Sequence, residues 1–329
     1  MNSFERFFER LPQLRVAVIG DLMLDTYFFG QVDRISPEAP VPVVTHQFQQ
    51  ERIGGAGNVA LNLRSLGASV QLISLVGKDE SADILNQLLS ESQICTDLLM
   101  VDETRPTTRK TRVLDRNKQL LRLDKESTAD ISNDLESEWF DRICSYLHTE
   151  KPDLLIFEDY NKGVLTASFI QRLISTCQAL SIVTAVDPKK YNFFAYKNVD
   201  VFKPNWREVS DALQFSQEPD LTNLQQVHQS LRDALNHTVS LITLSDRGMY
   251  YQQEGDNAWL KGHPRSVVDV SGAGDTVIAV AAAAYALTKD AACMANLANL
   301  AGGLVCEQVG TSPIGLDLLR TEANRLGWL

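Results

Sequence analysis

The chain has 329 residues, 44% of them apolar, and a net charge of −11. That is enough for one large domain, or one domain with a subdomain, and the negative charge argues against nucleic acid or an anionic membrane as partner. Five cysteines without a Cys-x-x-Cys pair, and no apolar run of membrane-spanning length, lead to the expectation of a cytoplasmic protein with no disulfide framework or zinc site.

Met1 to Arg10 is amphipathic, carries charges of both signs and lacks the apolar core of a signal peptide. Asn2 with Glu5 fits a capping box and predicts a short surface helix. Arg15 to Gly20 reads as a buried strand whose end opens a loop at Asp21, with Asp25 just beyond, where open α/β sheets gather ligands. No Gly-x-Gly-x-x-Gly follows, which disfavours a dinucleotide-dependent oxidoreductase. Tyr27-Phe28-Phe29 and Val41 to Thr45 are strand-like. The prolines between Ile35 and Pro42 suit edge strands and turns, so residues 26–50 are read as the start of a small β subdomain.

Gly54-Gly55-Ala56-Gly57-Asn58 is read as opening a helix that stops at Gly67. Paired glycines permit close backbone approach to a ligand, and Asn58 can donate and accept toward hydroxyls; a plain helix start is the other reading. A strand over 70–76 and a helix over 81–92 follow. Residues 107–114 and 119–124 read as a β hairpin around Asp115 to Lys118. Residues 103–126 hold eight Lys and Arg against four Asp and Glu, a basic patch in an acidic chain. It fits either a small acidic substrate, with Arg109, Lys110 and Arg112 as candidates, or a charged guard on an edge strand.

From Asp130 the pattern alternates: helix 134–148, strand 153–157, helix 166–180, strand 182–186, strand 199–202, helix 220–236, strand 239–244, then an antiparallel pair over 249–253 and 258–261, and helices after Gly272. This predicts an α/β protein with a mostly parallel central sheet and helices on both faces. Acids and amides fall repeatedly at strand ends: Glu158-Asp159, Lys162, Asp187, Asn205 with Glu208, and Ser245 to Gly248.

In Val268 to Thr276 a β-branched stretch runs into Gly272-Ala273-Gly274, then Asp275, then a small-residue apolar helix. Bare N–H groups at such a helix start make an anion site. An acid there repels phosphate, yet it can take a proton from a hydroxyl attacking one; alternatively Ser271 or Asp275 is simply an N-cap. Asn205-x-x-Glu208 places an amide and a carboxylate on one helix face, able to hold the water shell of Mg²⁺. With Asp25, Gly54, Gly55 and Asn58 toward hydroxyls, the set describes phosphoryl transfer to an alcohol, and no P-loop or protein-kinase motif is present.

These motifs identify the chain by resemblance as a member of the ribokinase/PfkB family of carbohydrate kinases. Gly54 to Asn58 matches the family's diglycine signature, Asp269 to Asp275 its Gly-Ala-Gly-Asp signature, and Asn205 to Glu208 its Asn-x-x-Glu motif. The resemblance implies a ribokinase-like fold with a discontinuous β lid at about 26–50 and 104–124. It implies Asp275 as base beside Gly272, Ala273 and Gly274, with ATP and Mg²⁺ as cofactors and Asn205 and Glu208 holding the metal through water. Thr243, Ser245, Gly248 and Asn299 join them as nucleotide candidates. Ser245 and Val270 depart from the family pattern, which expects a glycine and a threonine. Some members hold a monovalent cation such as K⁺ beside this loop, and the resemblance leaves that open here.

Longer stretches, Gly20 to Asp25, Arg34 to Val43, Arg112 to Asp124 and Asp159 to Gly163, resemble the branch that phosphorylates the anomeric O1 of D-glycero-D-manno-heptose 7-phosphate for ADP-heptose and lipopolysaccharide core synthesis. That resemblance implies a sugar-phosphate substrate held by Asp25, Gly54, Gly55, Asn58, Lys110, Arg112, Asp159 and Lys162. It implies a homodimer through the lid, with Tyr27, Phe28 and Phe29 either at the interface or in the core, and the kinase alone, since the chain ends at Leu329. Kinases for ribose, fructose or fructose phosphate, and a non-catalytic sugar sensor, are the alternatives.

Overall fold

The computed structural model describes residues 1–116, 118–263, 267–308 and 310–329. In chain order the strands are β1 (Arg15–Gly20), β2 (Leu22–Ile35), β3 (Pro42–Gly55), β4 (Ser69–Ile73), β5 (Leu75–Val76), β6 (Met100–Val101), β7 (Thr108–Asp115), β8 (Lys118–Lys125), β9 (Leu154–Glu158), β10 (Val183–Asp187), β11 (Val201–Phe202), β12 (Val239–Thr243), β13 (Met249–Gln253) and β14 (Asp256–Leu260). The helices are α1 (Ser3–Arg10), α2 (Ala56–Ser65), α3 (Glu80–Glu91), α4 (Asn133–Glu150), α5 (Ala167–Ala179), α6 (Trp206–Leu213), α7 (Leu221–Leu235), α8 (Ala273–Thr288), α9 (Ala291–Val305) and α10 (Leu316–Arg325).

The main sheet runs β14-β13-β12-β11-β10-β9-β1-β4, parallel except for β13 and β14. Its central strands are apolar at successive positions because helices cover both faces. In β9, Leu154 and Ile156 share a core with α2, α8 and α9, while Leu155 and Phe157 share one with α4, α5 and α7. The α8 sequence is apolar all round, and every residue from Asp275 to Tyr285 is buried. Among the described residues no helix is long and apolar enough to cross a membrane.

A separate sheet has the order β3-β2-β7-β8. The sequence predicts short strands over 27–29 and 41–45; instead β2 and β3 pair from Leu22–Gly55 to Ile35–Pro42, with register shifts after Phe29 and after Val32. The apolar pattern underestimates them because β3 is an edge strand exposed from Thr45 to Gln50, where ladder hydrogen bonds hold polar residues extended. Two further expectations shift for the same reason. Asp25 lies inside β2 rather than in a loop, and Gly54-Gly55 closes β3, with α2 starting at Ala56. The β7–β8 hairpin forms as its alternation predicts, and Asn117 in its turn lies outside the described residues.

Gly55 is the elbow between β3 and α2. Its φ of 59° and ψ of −135° suit glycine alone, and an added Cβ would stand 2.2 Å from the Asp21 carbonyl oxygen. Gly55→Ala is expected to lower unfolding free energy by about 2–4 kcal/mol in a urea titration. A loss within ~0.5 kcal/mol, the range of neutral surface changes, would show that the elbow relaxes freely.

Candidate active site

The site forms where the C-terminal ends of β9, β10 and β11 meet the start of α8. Gly272 caps α8 with φ 77°, and a Cβ there would stand 2.7 Å from Asn58 Nδ2. That close approach brings α2 against α8. Asn58 Nδ2 donates to Asp275 Oδ2 at 2.7 Å, although the two residues are 217 positions apart. Behind them Asn62 Oδ1 accepts from the Thr276 hydroxyl and the Ile314 N–H, both at 3.0 Å. Gly272, Ala273 and Gly274 thus lead into a helix whose first acid, Asp275, is buried and held from the side.

Tyr160, from the loop after β9, donates its hydroxyl to Asp275 Oδ1 at 2.7 Å. Burial pushes the Asp275 carboxyl up to about 6; the Asn58 and Tyr160 hydrogen bonds oppose that rise, and the Asp187 charge adds to it. Glu158, at the end of β9, is fully buried, and among the described residues neither of its carboxyl oxygens has a hydrogen-bond partner. Burial, then the charges of Asp187 and Asp275, hold it well above the usual carboxylate range. Two lysines balance these acids. Lys203 Nζ stands 2.8 Å from Asp187 Oδ2, and Lys189 bridges Asp187 at 3.4 Å and Glu208 at 2.7 Å.

Asn205 and Glu208 form a reciprocal capping box at the start of α6: Asn205 Oδ1 accepts from the Glu208 N–H at 2.9 Å, and the Asn205 N–H donates to Glu208 Oε2 at 2.8 Å. With Oε1 on Lys189, each oxygen keeps an acceptor position for water. That donor set fits a hydrated Mg²⁺ held through its water shell. Among the described residues no three His, Cys, Asp or Glu side chains form a metal cage, so such an ion would draw further ligands from nucleotide phosphates.

A cavity of about 350 Å³ opens beside the glycine loop, lined by Thr243, Ser245, Gly248, Gly274, Asn299 and Gly302 among others. Of the six nucleotide candidates, Thr243, Ser245, Gly248 and Asn299 line it, and Asn205 and Glu208 stand outside its lining. Gly248 has φ 92° and no room for a Cβ, which would stand 2.1 Å from the Leu260 carbonyl oxygen. Ser245 adopts φ 58° where the family pattern has glycine. The Asn299 amide donates to the Lys261 carbonyl at 2.8 Å, tying α9 to the cavity wall.

The second sheet supplies the other wall. Parallel pairing sets Asp25 beside Lys110 and Tyr27 beside Arg112, so alternation puts all four on one face. Arg112 pairs with Asp25 at 2.6 Å, and Arg112 and Arg52 each lie 5.1 Å from the Tyr27 ring centroid. Lys110 sits 5.0 Å over the Tyr160 ring, and burial lowers its ammonium pKa. Gly54 is tight against this cluster, where a Cβ would stand 2.6 Å from Asp25 Oδ2. Arg109 points elsewhere, to Thr26 Oγ1 at 2.9 Å and Glu51 at 3.0 Å. Asp159 is buried and accepts from Tyr196, Asn192 and the Asn161 N–H, and the Lys162 amine pairs with Glu126 at 2.7 Å.

Sequence reasoning assigned no role to Tyr160, Glu158, Asp187, Lys189, Lys203 or Arg52. Position at a strand end was the available signal for Glu158, Asp187 and Lys203. Tyr160 lay within the Asp159 to Gly163 stretch, which gave it a place but no role, and for Arg52 no signal existed without the fold.

A family model described as pfkB family carbohydrate kinase matches residues 13–317. The chain is 39% identical over 311 residues to the bifunctional protein HldE of Desulfatibacillum aliphaticivorans, covering 94% of this chain and 63% of that protein. It is 39% identical over 316 residues to the bifunctional protein HldE of Geobacter sulfurreducens, covering 95% of this chain and 64% of that protein. The chain thus spans just under two thirds of these relatives' length. Among solved structures, phosphofructokinase-2 from Escherichia coli in complex with potassium superposes with a TM-score of 0.77 at 17% identity, covering 95% of this chain and 99% of that one. At that identity the likeness is one of fold.

Glu158 and Asp275 stay protonated to higher pH in the folded chain than in the unfolded chain. The native state therefore binds more protons than the unfolded state above their unfolded pKa values, so their contribution to stability is lost as pH rises through the folded values. Glu158→Gln is expected to flatten the decline in unfolding free energy as pH rises above the ordinary carboxylate range, read by urea titrations at a series of pH values. An unchanged slope would mean that Glu158 titrates as an ordinary exposed acid.

Proposed function

The chain belongs to the pfkB family of carbohydrate kinases, and on that premise we propose that it transfers the γ-phosphoryl group of ATP to the anomeric O1 hydroxyl of D-glycero-D-manno-heptose 7-phosphate. The observation that carries this reading is the buried Asp275 carboxylate at the start of α8, adjoining the glycine loop and hydrogen-bonded to Tyr160, whose ring carries Lys110 of the second sheet.

In this reading Asp275 accepts the O1 proton as the O1–phosphorus bond forms and the bond from phosphorus to the ADP oxygen breaks. The first N–H groups of α8, with Lys189 and Lys203, stabilise charge on the phosphoryl group in transit. Mg²⁺, when bound through the Asn205–Glu208 water shell, supplies charge neutralisation on the phosphates. A K⁺ beside the glycine loop is part of the proposal, in line with the potassium complex of the Escherichia coli fold relative. Lys110 and Arg112 are assigned to the distal 7-phosphate, because they stand on the site face of the second sheet, beside Asp25. Asp25 and Asn58 take sugar hydroxyls. Asp159 and Lys162 serve the sugar side through their loop, since both side chains already have partners.

The heptose assignment rests on the long stretches Arg34 to Val43 and Arg112 to Asp124. The bisphosphate product would feed ADP-heptose synthesis for the lipopolysaccharide core, in the cytoplasm where ATP is available. The second sheet acts as a lid and dimerises two copies. Exposed Phe48, Leu121 and Leu123 give it apolar surface, while Tyr27 is buried and Phe28 and Phe29 are half-buried.

Asp275→Asn is expected to lower kcat by about 10²–10⁴-fold, the usual worth of a positioned base, with ATP still bound. Wild-type turnover in that variant would remove Asp275 as base. Arg112→Ala is expected to raise KM for the sugar phosphate about tenfold or more, the loss of a charged hydrogen bond, and to leave the ATP KM within about twofold. Equal effects on both substrates would take Arg112 out of the phosphate site.

A further inference from the structure

The base reading leaves unexplained why a phenol stands on the base. Tyr160 begins the loop after β9, and a buried carboxylate fixes it there: Asp21 Oδ2 accepts from the Tyr160 N–H at 2.7 Å and from the Lys162 N–H at 3.2 Å. The Tyr160 hydroxyl then reaches Asp275 Oδ1 while Asn58 holds Oδ2, each at 2.7 Å. Its ring lies under two ammonium groups, Lys110 from the second sheet at 5.0 Å and Lys189 from the β10 side at 5.4 Å.

We propose that Tyr160 is a positioning residue for phosphoryl transfer: its hydroxyl holds Asp275 ionised and in one orientation, and its ring packs against Lys189 on the base side and Lys110 on the sugar-phosphate side. This rests on Asp275 being the base.

A carboxylate in a buried site tends to take up a proton, and a protonated acid cannot accept another. Asp275 is faced by Asn58 of α2, Tyr160, Glu158 at the end of β9, Asp187 at the end of β10 and Lys189 beyond it, with Lys203 paired to Asp187. The acids oppose its ionisation; Lys189 and the two donated hydrogen bonds favour it. Tyr160 thus supplies one of two hydrogen bonds that keep the acceptor charged. Each carboxylate oxygen has two acceptor positions, so the phenol and the amide leave one on each oxygen for the sugar hydroxyl. The phenol does not compete as base, because burial and the neighbouring acids push it well above its usual range and keep it a donor.

Tyr160→Phe removes the hydroxyl and keeps the ring beneath both lysines. Wild type and variant are compared in kcat against pH with Mg·ATP and D-glycero-D-manno-heptose 7-phosphate, together with thermal melts. The acidic limb is expected to move up by about half to one pH unit, with kcat below the limb reduced ~3–10-fold, an unchanged Tm and an ATP KM within about twofold. Tyr160→Leu also removes the ring, and is expected to add a rise in KM for the sugar phosphate. A Tyr160→Phe profile superposing on wild type, or falling uniformly with no shift of the limb, would overturn the inference. Asp275→Asn separates the two claims: if it turns over normally, the base reading fails; if it is inactive while Tyr160→Phe superposes on wild type, only the role of Tyr160 fails.

Discussion

The structure depends on keeping a carboxylate charged in a buried site among other buried acids. Asp275 is buried at the head of an apolar helix, among two further buried acids, Glu158 and Asp187. Burying an ionised carboxylate costs several kcal/mol even after relaxation. Asn58, Tyr160 and Lys189 offset part of that cost, and the residue shows as a carboxyl raised to about 6 rather than held in its usual range. The Gly272 loop is a consequence: any side chain there would displace the Asn58 amide. So is the Asn58–Asn62–Thr276 network, which locks α2 to α8 and gives the acid one orientation.

The fold serves this constraint by drawing each partner from a different element. Parallel strands β9, β10 and β11 end at the same level, bringing Glu158, Asp187 and Lys203 together. β2 leaves the main sheet after Asp21 and returns as β3 to Gly55, so the same hairpin that builds the second sheet delivers α2 and Asn58. The acids and bases of the site come in pairs across these elements: Arg112 meets Asp25, Lys203 meets Asp187, and Lys189 bridges Asp187 and Glu208.

Much of the fold was legible because buried parallel strands and amphipathic helices leave distinct periods, as in Leu154–Glu158 and Leu221–Leu235. The reach of β2 and β3 was not, because ladder bonds rather than apolar alternation hold their polar ends. In the site, the glycines and Asp275 were readable from helix-start chemistry, and Asn58 from its position after Gly54-Gly55. Side-chain direction was not: Lys110 and Arg112 share a face with Asp25, while Arg109 turns to Glu51, a difference of one residue in register. Asn205-x-x-Glu208 carries two meanings at once, a capping box in the fold and a water-shell holder in the proposal, and spacing alone cannot separate them. Tyr160 lay in the Asp159 to Gly163 stretch, but its role could not be read, since its link to Asp275 exists only once β9 and α8 are side by side.

The most direct measurement is ³¹P NMR of the protein with Mg·ATP and D-glycero-D-manno-heptose 7-phosphate, beside parallel reactions with ribose, fructose and fructose 6-phosphate. The account predicts a new phosphate resonance coupled to the anomeric proton of the heptose, with ADP formed in equal amount. ADP formation without that resonance, or turnover confined to ribose, fructose or fructose 6-phosphate, would contradict it.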